Sequence, residues 1–278
     1  MIGNGFIVYV TVKSRSLRCP CSILIATVSL SDMMLVSSSL ASTAFHNIVQ
    51  SDSIPLATCV YLQLLSLFAT CSSPMLLLSL AIDRLFSLSQ FYQALITSHP
   101  GLYIMALISP GCLLGLIMDA VVLIYRMKEE RVTCLLASPM QGKIMENYTK
   151  SALVVCCLIL LCYGCFIFFL KRLQLNSTIA KSVHRSILII SLSFVFGYFA
   201  TVIILFGNTL LRLNIDAVYL NQTAGIFLSL ATSCNFFIYY VISEQYRELF
   251  DNVLGIGRLK KVLFRKERIS SVQHVIPI

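Results

Sequence analysis

The amino-acid sequence predicts an all-α membrane protein, a seven-transmembrane helix bundle with a short amphipathic surface helix and a truncated first helix. Three observations lead there. Of 278 residues, 58% are hydrophobic and 12% charged, and the mean hydropathy is +0.86, whereas about a quarter of an ordinary soluble domain is charged. Apolar stretches of roughly bilayer-spanning length recur along the whole chain between short polar segments, the pattern of a polytopic helical protein. The net charge of +9 falls in short connectors and the tail, where lipid headgroups and cytoplasmic partners, not nucleic acid, are the expected counter-charges.

The first span covers residues 1–12. At 1.5 Å per residue it crosses only about 18 Å of a hydrocarbon core about 30 Å thick, so further residues before Met1 are expected. It runs into Lys13, Arg15 and Arg18 without a basic leading region or a small-residue cleavage site, which a signal peptide would need. The second span, 22–45, contains Asp32, and the third, 55–85, ends on Asp83–Arg84. An ionisable group inside a membrane must pair, bind a cation or take up a proton, so Asp32 is a functional candidate, read as essentially the one deep charge. The fourth span is 101–125 and the fifth 151–171. Cys156, Cys157, Cys162 and Cys165 in the fifth are read as small packing residues, because no His accompanies them as a metal ligand. The sixth and seventh spans are 186–212 and 217–242. Beyond them Tyr246, Leu249, Phe250, Val253 and Leu254 fall at i, i+3, i+4, i+7 and i+8, with Glu244, Arg247, Glu248 and Asp251 elsewhere. That pattern predicts a helix lying on the membrane surface over 243–254. Residues 1–254 therefore form one membrane domain, and 255–278 a basic, disordered cytoplasmic tail that suits either the anionic inner leaflet or solvent.

Short cytoplasmic loops retain positive charge. Placing the amino terminus outside puts fifteen of the 21 Lys and Arg residues inside. The other six are Arg126, Lys128, Arg131, Lys143, Lys150 and Arg212. The expected topology is a multi-pass plasma-membrane protein with a cytoplasmic carboxyl terminus and Asp83–Arg84 at the cytoplasmic mouth. Of eleven cysteines, only Cys59 and Cys134 then face the oxidising side, where a disulfide is stable. A bridge between them would staple the loop after the fourth span over the outer opening; two free thiols are the alternative. Three N-x-[ST] sequons occur, at Asn147, Asn176 and Asn221. Asn147, in the long outer loop, is the expected glycosylation acceptor, Asn176 is cytoplasmic, and Asn221 lies too near the seventh span.

Asn4 in GNGFIVYV, Asp32 in ATVSLSD, Cys59, Arg84 in AIDRL, Cys134, Tyr163, and Asn235 with Tyr239 in NFFIYY recur in the order and spacing of rhodopsin-like G-protein-coupled receptors. The leading GN, the LRCPCSILIATVSLSD block and the NFFIYY ending most resemble the nematode serpentine chemoreceptors of the srsx class. The chain departs from the wider family in reading Asp83-Arg84-Leu85 for Asp-Arg-Tyr, and Asn235-Phe236-Phe237-Ile238-Tyr239 for Asn-Pro-x-x-Tyr. It contains no Trp. By spacing, the toggle tryptophan and the proline after it fall on Tyr198 and Ala200, and the fifth-span proline on Val155. Absent prolines remove kinks that loosen helices, which bears on the size of the sixth-helix swing and not on the fold.

The resemblance implies a receptor for an extracellular chemical that signals through a heterotrimeric G protein. It implies an activation switch of Asp83, Arg84, Tyr163, Asn235 and Tyr239, in which Arg84 is released to meet the G protein and the tyrosines hold the open form. From the residues alone, Arg84 could equally be a charged helix end at the headgroups. The resemblance also gathers Asn4, Asp32, Ser73, Thr232 and Asn235 into a polar cluster that can hold Na+ in related receptors; a hydrogen-bonded cluster that only sets helix packing is the alternative. Ser66 stands where aminergic relatives carry an amine-binding aspartate, and the seventh span has no Lys for a retinal Schiff base. The candidate ligand lining, Ser66, Thr70, Tyr198, Thr201, Leu205 and Ser229, suits a small uncharged or amphiphilic molecule, although each residue could serve bundle packing. A transporter or channel would call for internal repeats, broken spans or several midplane charges, which the sequence does not display, and a truncated non-signalling receptor is a third reading. No G-x-S-x-G, H-E-x-x-H, P-loop or dinucleotide fingerprint occurs, so an enzyme is not expected.

Overall fold

The computed structural model describes residues 1–50, 53–125, 131–136, 138–140, 142–172, 196–208, 210–211 and 217–254. The helices among them are α1 (Ile2–Lys13), α2 (Pro20–Val49), α3 (Leu56–Phe86), α4 (Phe91–Ser98), α5 (Pro100–Tyr125), α6 (Lys143–Arg172), α7 (Phe196–Asn208), α8 (Ala217–Ile242) and α9 (Glu244–Val253). Stretches of α2, α3, α5, α6 and α8 are long and apolar enough to cross a bilayer, and α7 is a shorter apolar helix. Leu, Ile, Val, Ala and Phe fill these runs, and the helix is the spanning form that satisfies every backbone N–H and C=O within one segment.

The axis of the bundle is α3. Of its most apolar stretch 72% is buried, against 17% for α5, because α2, α5 and α6 all pack on it. Pro74 lies inside α3 and Pro110 inside α5. Gly111 and Gly115 let α5 approach α3 closely: a Cβ at Gly115 would stand 2.7 Å from the Phe68 ring and 3.0 Å from its carbonyl oxygen. Small residues at such contacts are how membrane helices gain dispersion energy where no hydrophobic force acts between them. At one end of the bundle α1 packs on α2, α8 and α9. One continuous core runs through Ile7, Leu24, Leu76, Leu80, Ile159, Tyr239 and Phe250.

Three local features differ from the sequence expectation. The helix over 91–98 falls in a connector that no apolar span marked; its N-terminal half packs Tyr92 inward. Next, α6 begins at Lys143, eight residues ahead of the apolar stretch. Its first turns point Glu146, Asn147 and Lys150 outward and carry a Glu146–Lys150 pair at 2.7 Å, an i, i+4 arrangement that supports a helix beyond the apolar stretch. Asn147 is therefore an exposed residue on α6 and not in a loop. Lastly, Ile54–Pro55 and Arg131–Val132 form a two-residue antiparallel ladder beside the Cys59–Cys134 disulfide. The tail 255–278 and residues 186–195 of the sixth span lie outside the described residues, as does Asn176.

Candidate functional site

A cavity of about 810 Å³ opens toward the disulfide end of the bundle, between α2, α3, α6, α7, α8 and the segment after Cys134. Thr70, Tyr198, Thr201, Leu205 and Ser229 line it. No Asp, Glu, Lys or Arg occurs among its described lining residues. Several hydroxyls in the wall are committed to backbone: Thr70 donates to the Ser66 carbonyl at 2.7 Å, and the Thr201 hydroxyl lies 3.0 Å from the Ala224 carbonyl across the α7–α8 contact. The Tyr148 hydroxyl donates to the Thr70 carbonyl at 3.1 Å and ties α6 to α3. Ser66 stands behind this wall: it is fully buried and donates to Gln63 Oε1 at 2.8 Å.

The cavity floor meets a polar layer in the middle of the bundle. Tyr198 lines the cavity and is buried, and Ser73 is buried as well. Ser73 donates to Ser31 Oγ at 3.0 Å, one residue from Asp32. Asn235 Nδ2 donates to Asp32 Oδ2 at 2.7 Å, and Asn4 Nδ2 donates to the Thr232 carbonyl at 3.3 Å, joining α1 to α8. Asp32 is fully buried, and its Oδ1, with Asn235 Oδ1, has no hydrogen-bond partner among the described residues. Two oxygen acceptors left open in an apolar interior fit a proton or a small monovalent cation.

At the opposite end of α3 lies the Asp83–Arg84 pair. Arg84 donates through Nε, at 3.0 Å, and through Nη2 to Asp83 Oδ2. The other carboxylate oxygen accepts from Tyr92 on α4 and from Tyr103 on α5, both at 3.1 Å. The two rings meet edge to face at 6.0 Å. Four donors thus surround a carboxylate that is completely buried, with Arg84 only 8% exposed. Burial, and then the Asp83 carboxylate, push the Tyr92 phenol above its ordinary value, so it remains a donor at neutral pH. Arg84 also sits in the last turn of α3, where the helix dipole favours a cation.

Over residues 1–254 the chain matches the family described as serpentine type 7TM GPCR chemoreceptor Srsx. It belongs to that family. No curated protein matches it. The resemblance read from Asn4, Asp32, Arg84 and the NFFIYY segment therefore holds, and this Srsx receptor is an all-α, multi-pass membrane protein.

In the receptor, Tyr163 and Tyr239 are buried in the common core, 2% and 1% exposed, and Tyr239 packs on Tyr246 of α9 at 5.1 Å. The cap of α9 is Ser243, whose side chain accepts from the Tyr246 N–H, and Tyr246 and Phe250 turn their rings into the bundle while Glu244 and Glu248 face out. Residues of three kinds escaped the sequence reading. Tyr92 and Tyr103 reach Asp83 only through the tertiary fold. Gln63 and Tyr148 were polar groups within or beside apolar helices, which was a usable signal. Asp119 corrects the view of Asp32 as the one deep charge: it lies inside α5, with Oδ1 buried and without a hydrogen-bond partner among the described residues.

Proposed function

We propose that this Srsx receptor is a chemosensory receptor for a small uncharged or amphiphilic extracellular ligand and that it signals through a heterotrimeric G protein. The observation that carries the reading is the pairing of a charge-free cavity at the disulfide end with a carboxylate-restrained arginine at the other end of the same helix. A charged ligand would lose its hydration in that cavity with no counter-charge among the described lining residues to replace it. A neutral one fills apolar surface and hydrogen-bonds to the few free hydroxyls. The amino terminus lies outside and the carboxyl terminus in the cytoplasm of a plasma-membrane protein, following the excess of basic residues on the Arg84 side. Asn147, exposed on the outer turns of α6, is the glycosylation acceptor in this topology.

Ligand binding at Thr70, Tyr198, Thr201, Leu205 and Ser229, with Ser66 supporting the wall from behind, favours an arrangement in which Arg84 leaves Asp83 for the G protein. Tyr163, Asn235 and Tyr239 stabilise that arrangement. A ligand can shift this equilibrium only by its differential affinity for the two states. Between the two ends, the Ser73–Ser31 and Asp32–Asn235 bonds can rearrange, and Asp32 with Asn235 is the place for a Na+ ion. The test is guanine-nucleotide exchange on a co-expressed G protein under a panel of neutral and charged chemicals. Exchange that rises with a neutral compound in the wild type and stays flat in Arg84→Ala supports the function. Ligand-dependent ion or solute flux without exchange would move the chain to transport.

A further inference from the structure

We infer that the ligand carries a hydrogen-bond-accepting oxygen, a carbonyl or hydroxyl, which Gln63 holds in a polar annex behind the bridged loop while the apolar body lies in the main cavity. The inference rests on the reading of that cavity as the ligand site. The annex is a second cavity of about 320 Å³. It shares Ser39, Thr43, Leu135 and Leu136 with the main cavity, so only that ridge separates the two. The disulfide and the short β ladder fix the ridge in place, since Cys134 lies directly before Leu135.

The annex differs from the main cavity in its chemistry. Gln63 projects from α3 and is 2% exposed. Its carbonyl oxygen is occupied by the Ser66 hydroxyl at 2.8 Å, and one N–H reaches Ser42 Oγ at 3.3 Å. A primary amide has two N–H donors, and the second has no acceptor among the described residues. A buried donor left without an acceptor is unfavourable, and a ligand oxygen would satisfy it. Among the described residues Ser42 donates to the Cys134 sulfur, at 3.7 Å, a weak acceptor that a better one would displace. The annex, like the main cavity, has no Asp, Glu, Lys, Arg or His among its described lining residues. A carboxylate head would find a donor but no positive charge among the described lining residues, and an ammonium head would meet an amide N–H. Neither suits the site.

The experiment uses the full receptor in lipid nanodiscs and four probes with one medium-length alkyl body: a methyl ketone, the matched alkane, the carboxylate and the ammonium. Affinities come from ligand-induced shifts of the thermal midpoint. The ketone should bind about tenfold more tightly than the alkane, the size of one net hydrogen bond. The two ions should bind no better than the alkane. Gln63→Met, close to isosteric, should bring ketone and alkane to within about twofold, a ratio that a general loss of structure would not produce. In the wild type the carbonyl stretch of bound ketone should move to lower frequency, a readout that needs no variant. Equal affinity for ketone and alkane, preference for either ion, binding of none of the probes, or an unshifted carbonyl stretch would overturn the inference. The cavity reading fails separately: if Val202→Trp, which fills the main cavity, leaves the affinity of every probe unchanged, the probes bind elsewhere.

Discussion

Replacing Tyr103 with Phe removes one of the two phenols on Asp83 Oδ1 and leaves the ring packed on Tyr92. A hydrogen bond to a charged group contributes about 1.5–3 kcal/mol. Tyr92 still satisfies the oxygen, so the loss belongs at the low end, about 1.5 kcal/mol. If the bond exists only while Arg84 is held by Asp83, its loss shifts the resting equilibrium roughly tenfold toward the active form, since about 1.4 kcal/mol is a factor of ten. A receptor active about one percent of the time at rest would become active about a tenth of the time. Tyr92→Phe should act in the same direction, and the double variant should exceed the product of the two, because it strips the buried oxygen of the donor that each single variant leaves in place. The assay is basal nucleotide exchange at matched surface density, with Tyr125→Phe as the control, since that residue is 68% exposed at the end of α5. Basal exchange in Tyr103→Phe and Tyr92→Phe equal to wild type, with agonist response retained, would show that these bonds do not distinguish the two states.

Other outcomes are open to similar measurement. Cys59→Ser and Cys134→Ser should each lower surface delivery and thermal midpoint, because the bridge closes a separation of 75 residues; free-chain loop entropy puts an upper bound of about 4.5 kcal/mol on the effect, reduced by the membrane's own restraint on the helices. Normal delivery and stability of both variants would count against a structural role for the bridge. Gly115→Val should destabilise the receptor by about 1–3 kcal/mol, since its Cβ would meet the Phe68 carbonyl at 3.0 Å, whereas Gly101→Ala, with open space around it, should leave the midpoint in place. A Gly115→Val receptor as stable as wild type would refute the close α3–α5 contact. Replacing choline with Na+ should raise the thermal midpoint of wild type and not of Asp32→Asn; a Na+ effect of equal size in both would remove the ion from Asp32.

The spans were legible because bilayer thickness sets helix length, so composition alone located α2, α3 and α5 to within a few residues. Boundaries shifted where a polar segment continued an apolar helix. The run KIMENYTK reads as loop by hydropathy, yet its Glu146–Lys150 spacing is helical, and that is how Asn147 came to stand on α6. The Cys59–Cys134 pairing was accessible through topology, since charge bias left only two cysteines on one side. The short helix at Phe91–Ser98 had no span-length apolar run to mark it. The partners of Asp83 were beyond reach of the sequence: Tyr92 and Tyr103 lie 9 and 20 residues away, and nothing local points either phenol at the carboxylate. Ser66 shows the same limit from the other side. Helical spacing puts it one turn from Thr70, but a single neighbour, Gln63, turns its hydroxyl away from the cavity.

A neutral molecule seated in the cavity at the disulfide end is expected to drive exchange through Arg84 at the other. The most direct measurement is agonist-stimulated nucleotide exchange in Val202→Trp, whose indole would occupy the space beside a buried cavity wall residue, against wild type at equal surface density. The expected result is a loss of agonist potency of at least about tenfold, the size of one displaced hydrogen bond or about two methylene contacts. Unchanged potency and amplitude in that variant would contradict the connection.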